Sequence, residues 1–363
     1  MNVLVAGAGP AGLYFSYLAK RHWPHWRIRV MEQNPPDATF GFGVVFSDRA
    51  LEFLQADDPA TYALITPQLE AWVDLVVVHR GVRVVIDGIG FAAIGRLHFL
   101  RLMQQQAASV GVVPEFNTAA GDISGYGLVV AADGANSTVR RSADFGTRVT
   151  HCTNKFAWFG TPKRFEKLTQ TFLENEHGSF NVHHYPHSAE MSTFVVECDA
   201  ATWERAGFAT MGETETRVYL ERAYASVLQG APLVSNKSIW RNFPNVRNER
   251  WHSSNVVLIG DALRTAHFSI GSGTRLAMED AIALVKSLGA ESDVSEALKG
   301  FEAARRPIVD KLVAVADASG AWYERFPEHM KLAPRDFAWS YIQRSGRIDP
   351  DRLRKISPKF VDG

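Results

Sequence analysis

The residues whose types and spacing suit chemistry begin at the start of the chain. Gly7, Gly9 and Gly12 stand in the run Gly7-Ala8-Gly9-Pro10-Ala11-Gly12, directly after the apolar stretch Asn2–Ala6. In a GxGxxG loop the first glycine takes a tight turn. The second lets a pyrophosphate reach the backbone, and the third lets the helix pack on the strand. Pro10 and Ala11 open that helix, whose free N–H groups and partial positive charge suit phosphate. Glu32 ends the next apolar stretch. A carboxylate there can accept hydrogen bonds from a ribose hydroxyl pair and would repel a 2′-phosphate. The spacing indicates a bound adenine dinucleotide and does not separate NAD from FAD.

Two later turns repeat the pattern of a buried strand ending on glycine and aspartate. Asp133–Arg140 follows Leu128–Ala132 and is expected to open a helix, and Asp133 and Arg140 can brace the turn at Gly134. Gly260-Asp261 follows Val256–Ile259 and continues through Gly271-Ser272-Gly273 into a helix beginning near Thr274. A dehydrogenase has no use for a second nucleotide-contacting strand end so far downstream.

The elements that must hold these residues read as α/β. Asn2–Ala6, the Pro10–Arg21 helix and Arg27–Glu32 form a βαβ opening. Asn34–Ser47, with two prolines and two glycines, reads as a long loop, and Arg49–Gln55 as helical. Val73–His79 and Val82–Asp87 read as a hairpin around His79-Arg80-Gly81, and Arg96–Val110 as an amphipathic helix. From Lys155 to Glu197 the pattern becomes strand-rich and aromatic. The expected fold is a Rossmann-like nucleotide-binding domain (1–72, 96–154 and 251–290). Into it is inserted a mostly antiparallel substrate sheet (73–95 and 155–250), and C-terminal helices (291–363) complete it.

Bulk properties narrow the function classes. The 363 residues carry 39 Lys plus Arg against 39 Asp plus Glu, which argues against a nucleic-acid binder and a polybasic membrane anchor. Cys152 and Cys198 cannot make a disulfide framework, and no His or Cys spacing reads as a metal site. The first residues lack a basic region before their apolar run, so no signal peptide or membrane span is expected and the chain reads as cytoplasmic. Oligomeric state stays open: the apolar positions of Pro307–Val315 could serve an interface or only the core.

The run Asp133-Gly134-Ala135-Asn136-Ser137-Thr138-Val139-Arg140 resembles the DGxxSxVR motif of the flavoprotein aromatic hydroxylases, and Gly260-Asp261 resembles the GD motif of the same family. That resemblance implies FAD, with Asp261 on the ribityl chain and the Gly271–Thr274 helix start at the flavin edge. It places Arg96 at the FAD too. It implies monooxygenation of an electron-rich ring through a flavin 4a-hydroperoxide, with O2 as co-substrate and NADH or NADPH as transient reductant. Within the family, Phe40–Ser47, Asn154–Thr161, Met191–Cys198 and His267–Gly273 are similar to enzymes acting on 2-aminobenzoyl-CoA and salicyloyl-CoA. An enzyme of the violacein pathway stands nearby. An aromatic coenzyme A thioester is therefore the expected substrate, with a free aromatic or tryptophan-derived acid as alternative. A non-catalytic FAD-binding half of a longer protein is the alternative of another class.

On the same resemblance, Phe42, Gly43 and Val45 with His267, Phe268 and Ser269 are expected to line the substrate site. His267 is the candidate catalytic group, against a role that only braces the loop. Arg264 occupies the place where most of the family has histidine. His183 and Tyr185 share one face of a strand and His184 the other. Lys155, Lys163 and Arg164 could attract coenzyme A phosphates or form a solvated edge.

Overall fold

A computed structural model describes residues 1–47 and 50–363. Its first sheet has the strand order 252–253, 256–258, 128–131, 2–6, 27–31. Neighbours are parallel except for the 252–253 edge. Val3, Leu4, Val5 and Ala6 are fully buried, as are Leu128–Ala131. Continuous apolar runs of this kind belong to inner strands covered on both faces. The Pro10–His22, Arg96–Ser109 and Gly273–Ala290 helices pack into the same core.

The inserted sheet runs 234–235, 148–161, 192–198, 178–186, 169–175, 75–79, 82–86, with 241–247 also paired to 148–161. All its pairings are antiparallel except 169–175 with 75–79. The hairpin turn has positive φ at both Arg80 (52°) and Gly81 (74°), the geometry that matches strand twist. The C-terminal helices close over this sheet. Phe172 is surrounded by Trp322, Phe326, Phe337 and Tyr341 with ring centroids 4.6–6.3 Å away.

Several elements differ from expectation. The segment read as a loop over Asn34–Ser47 ends in a strand, Gly43–Ser47, which pairs with Phe91–Gly95 in a third sheet. Its partner lies far along the chain, so local composition does not show it. Of the expected helix Arg49–Gln55, Arg49 lies outside the described residues, and the helix observed is Glu52–Asp57. The strand Arg148–Thr161 crosses the 154/155 boundary. Asp133–Arg140 opens no α-helix, only a 3-10 turn at Val139–Ser142. Here the Asp133 carboxylate takes the N–H groups of Thr138 and Val139 (2.7 and 3.2 Å).

One buried cluster ties the last sheet strand to the helices. Asp280 is fully buried on the Gly273–Ala290 helix. Its carboxylate accepts the Gly260 N–H (3.0 Å), both terminal nitrogens of Arg264, and Arg305 Nε (3.1 Å). Arg264 and Arg305 are themselves buried. Asp280→Asn would leave the buried Arg264 guanidinium without a carboxylate and Arg305 with Glu279 alone. We expect a loss of about 3–5 kcal/mol, read as a lower denaturant midpoint. An unchanged midpoint would show that the cluster does not support the fold.

Candidate active site

Two cavities meet at the glycine loop. The larger, about 800 Å³, and the smaller, about 490 Å³, share Gly9, Pro10, Val44, Arg96, Ala132, Gly134 and Thr274 as walls. The smaller one is also lined by Gly7, Glu32, Asp133 and Asn136.

Each glycine of the first loop has its own constraint. A Cβ on Gly7 (φ 99°) would lie 2.4 Å from the Ala132 carbonyl oxygen, and one on Gly12 would lie 2.1 Å from that of Gly7. A Cβ on Gly9 would meet nothing within 4 Å, because this residue faces the open cavities. Pro10–His22 and Gly273–Ala290 both begin without a side-chain cap. Gly9-Pro10 and Gly271–Thr274 line the larger cavity, so both helix starts offer unsatisfied N–H groups there.

Polar groups stand around these starts, some of them without a protein partner. Arg96 lines both cavities. Its guanidinium makes no hydrogen bond to a described residue and lies over the Trp158 ring at 6.0 Å. Burial lowers its pKa while Asp261 nearby holds it up. Asp261 faces the larger cavity, and burial raises its pKa against the attraction of Arg96 and Arg264. Asp133 Oδ1 is buried without a partner. Glu32 accepts the Ala8 N–H (2.9 Å) and the Asn34 backbone and side-chain N–H groups (2.9 and 2.8 Å). Arg140 donates to the carbonyls of Ala135 (2.6 Å) and Ala262 (2.8 Å), joining the second and third turns.

The larger cavity widens between the two sheets. Phe243, Phe268, Leu75, Leu168 and Val195 supply apolar wall, with Gln170, His183 and Tyr185 as polar groups. Gly43, Val45, Phe268 and Ser269 line it, and Phe42 and His267 do not. A Cβ on Gly160 would lie 2.5 Å from the Phe42 ring, so Phe42 packs on that strand instead. His267 sits one layer behind Phe268, rings stacked at 4.4 Å. Its Nδ1 pairs with Ser269 Oγ (2.8 Å), which meets Ser319 Oγ (2.7 Å). Burial, then Arg344, lowers its pKa to about 3, so the ring is neutral. This is the arrangement of a loop brace.

The strand alternation is as the sequence indicates, although the strand is buried rather than half-exposed. His183 and Tyr185 face the cavity, while His184 packs on Phe165 and meets Thr171 Oγ1 (3.0 Å). Behind His183 stands Glu197, its Oε2 3.9 Å from His183 Nε2. Asn154 Nδ2 donates to Glu197 Oε1 (2.9 Å) and to the Tyr323 carbonyl (2.8 Å). Burial pushes Glu197 up to about 8 and His183 well down.

The sequence reading misses Gln170, Phe243 and Arg344 at the cavity wall. Only the last carries a signal, an arginine amid aromatic residues. Lys155, Lys163 and Arg164 do not reach the cavity. They are engaged by Asn242, Gln229 and Glu70.

A two-part cavity with an open glycine loop, two uncapped helix starts and a half-buried arginine that has no hydrogen-bond partner among the described residues fits an elongated dinucleotide carrying a second ring system. This defines a flavin-nucleotide-binding protein of the α/β class. Residues 126–316 match the family described as FAD binding domain. The chain is 42% identical to salicyloyl-CoA 5-hydroxylase of Streptomyces sp, over 100% of this chain and 73% of that protein. It is 36% identical to 3-hydroxy-4-methyl-anthranilyl-[aryl-carrier protein] 5-monooxygenase of Streptosporangium sibiricum, over 90% of each. Its fold matches 2-methyl-3-hydroxypyridine-5-carboxylic acid oxygenase with TM-score 0.71 and 19% identity, covering 98% of this chain and 95% of that one. The chain belongs to the FAD-dependent aromatic monooxygenase family.

Two measurements probe this geometry. Gly9→Val should keep its stability yet weaken FAD binding about tenfold or more, roughly 1.4 kcal/mol, by fluorescence titration. Gly12→Val should lose stability itself. Equal effects would mean that Gly9 does not face the dinucleotide. For Glu197, ionisation moves from 4.5 unfolded to about 8 folded, so the folded state holds an extra proton between these values. The stability from this group is full below pH 4.5 and is lost as pH rises through 8. Urea unfolding of wild type and Glu197→Gln should show the difference moving against wild type as pH rises. A constant difference would refute a buried, protonated Glu197.

Proposed function

We propose that this protein hydroxylates an electron-rich aromatic ring presented as a coenzyme A thioester, with an ortho hydroxyl or amino group, using NADH or NADPH and O2. The observation that carries this reading is the larger cavity. It begins at Asp261 and the Gly273–Ala290 helix start and continues into a chamber far roomier than one ring, walled by Phe243, Phe268 and Val195. The similarity to salicyloyl-CoA 5-hydroxylase over the whole chain supports the thioester.

In this reading FAD is held by Gly7, Gly9, Pro10, Ala11, Gly12, Glu32, Arg96, Asp133, Asp261, Gly271, Gly273 and Thr274, and when bound it supplies oxygen activation. Positive charge from the helix start and Arg96 favours an electron-rich cofactor. Phe243, Phe268 and Val195 keep water from the reacting ring. His183, neutral because it is buried, can accept a hydrogen bond from the ortho hydroxyl or amino group. Such a contact leaves the ring electron-rich where oxygen adds. Gln170 can hold the thioester carbonyl. His267 keeps Phe268 in place from behind and touches no reactant.

The test is a panel of salicyloyl-CoA, 2-aminobenzoyl-CoA and the corresponding free acids with the FAD-loaded protein. NADH and NADPH oxidation would be corrected for hydrogen peroxide. The thioesters should stimulate oxidation and give products one oxygen heavier by mass. Product from the free acids alone, including indole-derived acids, would overturn the thioester reading.

A further inference from the structure

The larger cavity also takes in the end of the chain. Arg344, Arg347 and Arg352 line it, joined by Arg275 from the Gly273–Ala290 helix. They form a graded series. Arg344 lies inward: its guanidinium sits 4.0 Å over the Tyr341 ring and donates to the Ser269 carbonyl (2.9 Å), next to Phe268. Its Nε is buried without a partner. Arg347 and Arg352 are exposed at the mouth, opposite the Gly88–Gly90 turn.

What these groups lack is negative charge. Among the described residues, Arg344, Arg347 and Arg352 have no carboxylate within ion-pair distance, and Arg275 shares Glu279 with Arg305. The nearest acids in sequence are in use. Asp349 caps the Pro350–Ile356 helix through the Arg352 N–H (2.8 Å), and Asp351 pairs with Arg354. Desolvation by the cavity wall, then Arg275 and Arg352 close by, lowers the pKa of Arg347. In a chain with 39 cationic and 39 anionic residues, clustered arginines without counter-charge await an anion, and guanidinium is the group best shaped for phosphate.

We propose that Arg347 and Arg352, with Arg275 beside them, bind the phosphates of a pantetheine thioester handle while its aromatic end lies past Arg344 at Phe268. This rests on the thioester reading above and adds a binding site to it. The shared chemistry is the phosphate next to the pantetheine, which coenzyme A and a carrier-bound phosphopantetheine both possess. The number of unpaired arginines favours the polyanionic coenzyme A. The pantetheine arm passes Ile89, Ile348 and Ile356, which line the same cavity.

The experiment is calorimetric binding to the FAD-loaded protein, with probes that lack an ortho donor and so do not turn over. These are benzoyl-CoA, benzoyl-4′-phosphopantetheine, benzoyl-pantetheine and benzoate. Wild type should bind benzoyl-CoA at least about tenfold more tightly than benzoyl-pantetheine, and added salt should shrink the gap. Arg347→Ala/Arg352→Ala should abolish the gap and leave benzoyl-pantetheine unchanged. An intermediate affinity for the phosphopantetheine thioester supports coenzyme A as the source. Affinity equal to that of benzoyl-CoA supports a carrier-bound handle. Equal binding of the CoA and pantetheine thioesters by wild type overturns the arginine site and leaves the thioester reading standing. Binding of benzoate but of no thioester overturns both.

Discussion

The Asp280 carboxylate is the constraint on which the site depends. It lies fully buried between Arg264 and Arg305 and takes the Gly260 N–H at 3.0 Å. Two cations and a backbone donor around one anion satisfy a charge that burial alone would make prohibitive. The consequence is positional. The end of the 256–258 strand, the Gly260-Asp261 turn and two helices are locked together, and Asp261 is left facing the cavity. Arg264 is thereby accounted for. It occupies a position where the wider family places histidine, and here it is structural.

A second layer of bracing joins the turns to one another. Arg140 bridges Ala135 and Ala262, and Asp133 holds the Thr138 and Val139 N–H groups. In the substrate chamber the same logic recurs with neutral groups: His267, Ser269 and Ser319 hold the loop that carries Phe268. At the cavity, Arg96 makes no hydrogen bond to a described residue, and Asp133 Oδ1, His183 Nε2 and Arg344 Nε are buried without partners. Buried polar atoms without partners are costly in a fold by itself, so those on the cavity wall are candidate ligand contacts.

Much of this was legible in the residues. Glycine loops at strand ends announce themselves because only glycine tolerates the close approaches at Gly7 and Gly12. The hairpin at Arg80-Gly81 and the alternation of His183, His184 and Tyr185 are local geometry, and local geometry has a period. The Gly43–Ser47 strand was not legible, since its partner at Phe91–Gly95 is remote. Neither were the positions of Phe42 and His267: a residue next to a wall residue in sequence can stand behind the wall, and only packing decides which does.

The sequence by itself determined the cofactor class and the order of the elements, because a pyrophosphate loop and two glycine–aspartate turns are short-range patterns with steric causes. Tertiary structure decided which side chains share the cavity. Gln170 and His183 come from the inserted sheet, Phe268 from the loop after Asp261, and Arg344, Arg347 and Arg352 from the chain end. No spacing rule links them, because their proximity follows from closure of the C-terminal helices over Phe172 and its neighbours.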